Sequence, residues 1–527
     1  MPATPDHDPP RETLVYESDW LASRPFFYSF KNGRASHNVN EVIDLADLEL
    51  DAEGLNDYLD YGFCVFERTP VRDVRLLRYS SRLLRGPGGL RVEYLDDPAL
   101  PWLERRSTVD EVLEVASAKI NAAAAGDGPV VVPTSGGLDS RLINVLLSDR
   151  SRVRAFTFGV GDDPRRSLEA VRARELARRL GIRWDLVPVR DFHRYLDEWD
   201  ALYGICTHAG GMHQIGFYRR ILEKVAPGSP VLSGACGDWF AGGGSEILSA
   251  ITVRDPGDVL ALLLAFPCVR ADSRQSRFGS WRLGGWRLLD GEPRLRREAL
   301  PRVVAAVRLR VALLSSLVAV PESLGLAARA PYADIDLAMR MVTLPTALRV
   351  NRRWQRELFA RWGVDLESAH LPADGRSTLN YQALRCVPLQ PLDVSLLSEV
   401  VKPDYVRWIN RHVGALGLPS EALWRLSFAP GLSRAQAAKT LRRSGLASSR
   451  GRAYCAYLTL KPLEALLLRR ERARRAAAGG DLAAERPPAT WNSVRAGATN
   501  QRRGRGLPTT SIWNRVSWSA AATDRSR

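Results

Sequence analysis

Val130-Val131-Val132-Pro133-Thr134-Ser135-Gly136-Gly137-Leu138-Asp139-Ser140-Arg141 passes from an apolar run through two glycines into a helix-forming stretch, and its reading decides the fold. A short β-branched run bounded by turn-formers reads as a buried strand. Glycines lack the side chain that would keep backbone amides away from a phosphate group. The helix that follows presents unpaired N–H groups and the positive end of its dipole. Ser135 and Ser140 add hydroxyl donors, and Asp139 is a carboxylate suited to the Mg²⁺ that accompanies a polyphosphate. The Gly-Lys-Ser/Thr ending of a Walker loop is absent. The plain alternative is a tight turn capping a helix, since Gly-Gly and Asp-Ser are common there. The strand–loop–helix context favours the pyrophosphate-binding reading.

The rhythm continues downstream. An amphipathic helix is expected over Ser140–Asp149, a strand over Val153–Phe158, and a helix over Ser167–Leu180 with Leu168, Val171, Leu176 and Leu180 on one face. Arg183–Val189 returns to a strand, and Val231-Leu232 follows. Strands separated by crossover helices imply a parallel sheet with ligands at the carboxyl ends of its strands. Upstream, a helix over Val109–Ala124 follows a first hundred residues of short β-like runs: Phe26–Phe30, Phe63–Glu67 and Arg72–Arg78, with Gly86-Pro87-Gly88-Gly89 as a turn. The remainder to about Arg470 reads as mainly helical, with Leu300–Val320 as an amphipathic stretch. The expected division is a small, mostly β domain over 1–105, an α/β domain with a helical C-terminal part over 106–470, and a tail over 471–527.

With 527 residues the chain has ample material for two or three domains. Apolar stretches such as Val259–Val269 and Val311–Val320 fall short of the roughly 20 residues a membrane-spanning helix needs. The first twenty residues carry no apolar block, so a cytoplasmic location without a membrane span is the expectation. Six cysteines lie far apart with no Cys-x-x-Cys pair, which argues against a disulfide framework or a structural zinc site. The formal charge of +16 is concentrated at one end: from Arg469 onward there are 13 arginines against 4 acids, a net +9. This tail, rich in Ala, Gly, Pro and Ser, reads as disordered and solvated rather than as a nucleic-acid arm. Trp491, Trp513 and Trp518 among the arginines keep the arm as the alternative.

Ser135-Gly136-Gly137-Leu138-Asp139-Ser140 resembles the signature of the N-type ATP pyrophosphatases, and of the asparagine synthetase family in particular. Three further stretches are similar to that family. Ala155-Phe156-Thr157-Phe158-Gly159 with Ser167 to Gly181 looks like its second strand and helix. Leu232-Ser233-Gly234-Ala235-Cys236-Gly237-Asp238-Trp239 looks like its second phosphate-side loop. Arg329-Ala330-Pro331-Tyr332-Ala333-Asp334, leading to Leu344-Pro345 and Asn351-Arg352-Arg353, looks like its helical segment facing the active site. Ser23-Arg24-Pro25-Phe26-Phe27-Tyr28 and Tyr58 to Thr69 resemble a worn copy of the family's glutaminase domain.

The resemblance implies a Rossmann-like adenine nucleotide alpha-hydrolase sheet and an ATP-dependent amide ligase. A carboxylate attacks the α-phosphorus of ATP, and ammonia or an amine then displaces AMP. By position it makes Ser135, Gly136, Gly137 and Ser140 the pyrophosphate cradle, with Asp139 and Asp238 holding Mg²⁺. Thr134, Phe158, Ser233 and Gly234 fall where the family contacts adenosine. Departures from the pattern matter as much. Position 2 is Pro2, where the family's glutaminase has its cysteine nucleophile, so nitrogen is expected as ammonia, from a separate glutaminase, or as an amine. Ala235 and Trp239 replace two glutamates of the second loop, and no lysine follows the helical segment, Arg376 being the basic residue after Leu371-Pro372. These losses point to a specialised relative that amidates a small-molecule or glycan acid, such as a sugar acid of a surface polysaccharide. Asparagine synthesis proper, a lasso-peptide-type macrocyclase and a lapsed nucleotide-binding scaffold are the alternatives. His208 and His213 flank Gly210-Gly211 and are read either as pocket-lining residues or as ordinary loop histidines.

Overall fold

The short apolar runs of the first hundred residues form two small antiparallel sheets in the computed structural model, which describes residues 12–161, 163–242, 270–279, 283–373, 377–414 and 446–478. The strands are β1 (Thr13–Glu17), β2 (Phe27–Tyr28), β3 (Ala35–Ser36), β4 (Arg75–Leu76), β5 (Ser81–Gly86) and β6 (Gly89–Tyr94). Their orders are β1-β5-β6 and β3-β2-β4. The turn-forming Gly86-Pro87-Gly88-Gly89 closes the β5–β6 hairpin, with Gly86 paired to Gly89. The expected run Phe63–Glu67 is not a strand. Phe66 and Glu67 take left-handed φ values of 54° and 62°, which break a ladder. The region also holds a helix that the β reading passed over, Ala52–Tyr61, capped by the Asp51 side chain and ended by Gly62 at φ 79°.

The central sheet has five strands: β7 (Val130–Pro133), β8 (Val153–Thr157), β9 (Arg183–Leu186), β10 (Pro230–Leu232) and β11 (Ala327–Arg329). Their order is β11-β10-β7-β8-β9, and every pairing is parallel. Strands this short and this apolar are stable only when both faces are covered. Helices Leu138–Leu146 and Leu168–Leu180 supply two of the crossovers. The order turns around β7, whose neighbours are β8 on one side and β10 on the other. That makes the carboxyl ends of β7 and β10 the crevice where such sheets bind ligands. Upstream, helix Val109–Ala123 is fixed at its start by a capping box in which Thr108 and Glu111 exchange hydrogen bonds, worth about 1 kcal/mol.

The structure refines three expectations. Ala327–Arg329, adjoining the segment read as helical, is the edge strand β11, and a three-residue strand is too short to show a period of two. The amphipathic stretch Leu300–Val320 is helical in three pieces, Ala299–Leu309, Val311–Leu314 and Ser316–Ser323, broken at Arg310 and Ser315. Helix Leu446–Ala477 runs through the boundary placed at 470/471. The disordered-tail expectation otherwise falls on residues 479–527, outside the described ones, as do Val259–Val269 and Arg376.

One apolar cluster runs from Trp20, Leu55 and Phe63 through Val131 and Phe156 to Leu463 in the last helix. Trp20 Nε1 also donates to the Ala333 carbonyl at 2.9 Å, tying the N-terminal part to the segment beside the site. Among the described residues no single helix is long and apolar enough to cross a membrane. The pair Ala299–Leu309 and Val311–Ser323, bent by 53°, passes that test by length and composition only, and most of its side chains are buried.

Candidate active site

Thr134 follows the end of β7 in the crevice and is held by its backbone and its hydroxyl. Its N–H donates to the Phe156 carbonyl at 2.8 Å, and its hydroxyl accepts from Asn144 Nδ2 at 3.0 Å. The chain then turns through Ser135-Gly136-Gly137 into helix Leu138–Leu146, whose N-cap is Gly137 and which carries no side-chain cap. An uncapped helix start leaves N–H donors and the positive dipole end available to an anion. Ser135 Oγ accepts from the Gly137 N–H at 3.2 Å, and Ser140 Oγ accepts from the Ser135 N–H at 3.3 Å. Both hydroxyls therefore sit inside the turn.

Gly136 works from behind. It has φ 68°, and a Cβ there would lie 2.3 Å from Arg172 Cβ and 2.9 Å from the Ala173 nitrogen, so only glycine allows the loop to pack on helix Leu168–Leu180. Its carbonyl accepts from Arg141 Nη2 at 2.7 Å. A trans peptide plane points the next N–H the opposite way, so this bond aims the Gly137 amide. Arg141 is fully buried and forks onto Glu367 at 2.7 and 2.9 Å, with the Phe359 ring beneath it. The sequence reading gave Arg141 no role, although a basic residue inside an apolar helix face was the available signal.

The loop opens onto a cavity of about 230 Å³. Of the residues expected to bind nucleotide, Thr134, Ser135, Gly137, Asp139, Ser140 and Phe158 line it. Gly136, Ser233, Gly234 and Asp238 do not. Ser233 and Gly234 stand at the end of the neighbouring strand β10. The Ser233 hydroxyl is buried with no hydrogen-bond partner, and a Cβ on Gly234 would lie 3.1 Å from Asp139 Cβ. Gly237 packs closer still, with an added Cβ 2.6 Å from Asp139 Oδ1. The second loop is thus pressed against Asp139, and the following residue, Asp238, is 3% exposed in the short helix Gly237–Ala241. Ala235 and Trp239 are core residues, with the Arg310 guanidinium 4.6 Å from the Trp239 ring centroid.

Besides Arg141, three charged side chains of the cavity lining were missed. Arg352 lines the cavity and forms an ion pair with Asp139, while its Nε donates to Gln355 Oε1 at 2.8 Å. It reaches there because Asn351 and Arg352 take consecutive left-handed φ values of 50° and 55°, which turn the chain inward. A basic residue thus lines the cavity at position 352, while Arg376 lies outside the described residues. Its signal was the Asn351-Arg352-Arg353 sequence itself, with asparagine tolerant of that conformation. Arg172 adds a second cation to the lining. Glu169 lines the apolar end with Phe158, Val160 and Phe217, and its Oε2 is buried without a partner. Desolvation holds that carboxyl above its usual range.

For Mg²⁺ the donor set is suitable: one or two carboxylates beside phosphate oxygens satisfy this ion, and Asp139 lies against the Asp238 loop. The Arg352 pair means that Asp139 shares its charge with a protein cation. His208 and His213 do not line the cavity. Both are buried, the His208 ring nitrogen accepts from the Gly210 N–H at 2.9 Å, and His213 packs edge-on against Phe158. Desolvation pushes their pKa values down to about 3 and about 4.

Residues 109–363 match the asparagine synthase family model. No curated protein matches the chain. Among solved structures, an NH3-dependent NAD synthetase from Campylobacter jejuni in complex with the nitrate ion is similar at 15% identity, over 34% of this chain and 72% of its own, with a TM-score of 0.19. A glutamine-dependent NAD+ synthetase from Acinetobacter baumannii in complex with adenosine diphosphate is similar at 15% identity, over 58% of this chain and 56% of its own, with a TM-score of 0.20. The chain spans just over half the length of that second protein.

Proposed function

With residues 109–363 as an asparagine synthase domain, we propose that this chain is an ATP-dependent amide ligase that activates a carboxylate as its acyl-adenylate. The supporting observation is a convergence on one cavity: the uncapped start of helix Leu138–Leu146, the Ser135 and Ser140 hydroxyls, and the Arg172 and Arg352 guanidiniums. Phe158 and Phe217 at the other end offer an apolar slot for a base. In the first step a carboxylate oxygen bonds to the α-phosphorus of ATP as the bond to the β-phosphate oxygen breaks, and pyrophosphate leaves. The growing charge falls on the leaving group, and preorganised donors at that position lower the barrier. Arg352 is placed to exchange Asp139 for the pyrophosphate oxygens. Asp139 in the cavity lining, with Asp238 in the loop packed against it, would hold a Mg²⁺, which would supply further neutralisation of the phosphates.

In the second step an amine nitrogen attacks the acyl carbon and the bond to AMP breaks. Ala235 and Trp239 place no carboxylate on the second loop beside Asp238, so ammonia or an external amine must arrive with a free electron pair. The acid is proposed to be a sugar acid, and the test is a panel of carboxylates in pyrophosphate exchange into ATP. Exchange driven by a sugar acid supports the reading in full. Exchange driven by aspartate or an acidic peptide moves the substrate to asparagine synthesis or ring closure. Nucleotide binding with no exchange for any acid contradicts the ligase and leaves a binding scaffold.

A further inference from the structure

A second polar cavity, of about 400 Å³, lies where helix Ala299–Leu309 meets the turn after Thr343, lined among others by Glu104, Arg106, Arg294, Glu298, Thr346 and Arg349. It shares no lining residue with the nucleotide cavity. Its charges divide into two groups. Arg294 is satisfied by Glu104 at 2.9 Å and Glu298 at 2.6 Å. Arg349 and Arg106 have no carboxylate within ion-pair distance among the described residues. Arg349 is only 5% exposed and donates Nε to the Leu344 carbonyl at 3.0 Å, with Thr346 Oγ1 at 3.5 Å from Nη2. Burial and the nearby Arg106 charge hold its pKa below the usual value. A buried guanidinium is ordinarily paired with an anion. Both guanidiniums line this cavity, whose carboxylates, Glu104 and Glu298, are paired to Arg294 instead.

We propose that Arg106 and Arg349 bind the anionic group of a polyhydroxylated molecule, a sugar acid or a sugar phosphate, at a site separate from the nucleotide. Two guanidiniums match a carboxylate or phosphate group through paired N–H donors. The rest of the lining includes the Glu104 and Glu298 carboxylates and the Thr346 hydroxyl, which offer hydrogen-bond partners to a hydroxylated body. The cavity falls in the size range of small-molecule sites. Arg349 lies three residues before Arg352, the second residue of the left-handed turn, so one segment serves both cavities. The turn is fixed against the second loop, since a Cβ on Gly242 would lie 2.2 Å from the Arg349 carbonyl oxygen.

Binding is read without turnover, so this inference stands apart from the ligase reading. The full chain is titrated calorimetrically with glucuronate, glucose 6-phosphate and, as the uncharged control, glucose. At least one of the two anions is expected to bind saturably while glucose does not, and whichever binds identifies the head group. Saturation with a non-hydrolysable ATP analogue leaves the affinity unchanged. Arg106→Ala, at an exposed position outside the core, weakens binding at least about tenfold, or 1.4 kcal/mol, and Arg349→Lys does the same if it folds. Absence of binding by both anions, equal binding to Arg106→Ala, or displacement by the analogue overturns the proposal.

Discussion

Arg352 is ion-paired with Asp139 at the mouth of the glycine loop, so the carboxylate expected to hold a metal already faces a protein cation. The pair joins the helix after the loop to the left-handed turn at Asn351-Arg352. Removing the cation by Arg352→Ala is expected to lower the rate of adenylation about 100-fold or more, the scale of losing one preorganised charge donor. The same change should raise the affinity of Asp139 for Mg²⁺, because a competing positive charge is gone. Exchange kinetics against Mg²⁺ concentration separate the two effects, and an unchanged rate would show that Arg352 only packs the turn.

Gly136→Ala forces a Cβ to within 2.3 Å of Arg172 Cβ at a φ of 68°. The loop must move off helix Leu168–Leu180, which is expected to cost about 1–3 kcal/mol of stability. ATP affinity should fall with it, because the Gly137 amide loses its aim. Urea unfolding and nucleotide titration on the same variant check both.

Glu367→Ala leaves the fully buried Arg141 without its counter-ion. Breaking such a pair is expected to cost about 3–5 kcal/mol. Replacing both partners, Arg141→Met with Glu367→Leu, should recover much of the loss of stability but not the nucleotide affinity, since the Gly136 carbonyl is then no longer held. Equal loss of stability in the single and double variants would contradict this role.

Glu169 offers an unpartnered carboxyl oxygen at the aromatic end of the nucleotide cavity. Glu169→Ala is expected to raise the KM for ATP about tenfold, equivalent to one hydrogen bond to a charged acceptor, with little change in kcat. A change confined to kcat would place it elsewhere in the reaction.

His193, His208 and His213 are buried, and desolvation holds their pKa values at about 4, about 3 and about 4, below the unfolded value of 6.5. The unfolded chain therefore binds protons first as the pH falls below about 6.5, while the native state stays neutral. Stability is complete above that pH and is lost progressively towards pH 4. Urea midpoints at pH 7.5 and pH 5 should differ, and His193→Gln should reduce the difference if its hydrogen bond with Tyr454 at 2.8 Å is retained.

The parallel sheet was legible because its inner strands carry uninterrupted β-branched runs such as Val130-Val131-Val132, and because helix Leu168–Leu180 has one clean apolar face. The glycine loop was legible for the same reason: residues 134–140 are local, and their order states their geometry. What stayed hidden is non-local. Arg352 reaches Asp139 from 213 positions away through a turn that only backbone conformation reveals, and Arg141 supports the loop from behind through Glu367. Strand β11 was missed because three residues carry no period, and the breaks at Arg310 and Ser315 did not show within the amphipathic stretch Leu300–Val320 because its apolar content runs on past them.

The central claim is that the Ser135–Ser140 loop activates a carboxylate with ATP, and acid-dependent pyrophosphate exchange into ATP tests it most directly. The wild-type chain should catalyse exchange with at least one carboxylic acid, and Asp139→Asn should abolish it while still unfolding cooperatively in urea, at a midpoint lowered by the loss of the Arg352 counter-ion. Exchange that persists in Asp139→Asn, or that is absent from the wild type across sugar acids, aspartate and acidic peptides, would contradict the account.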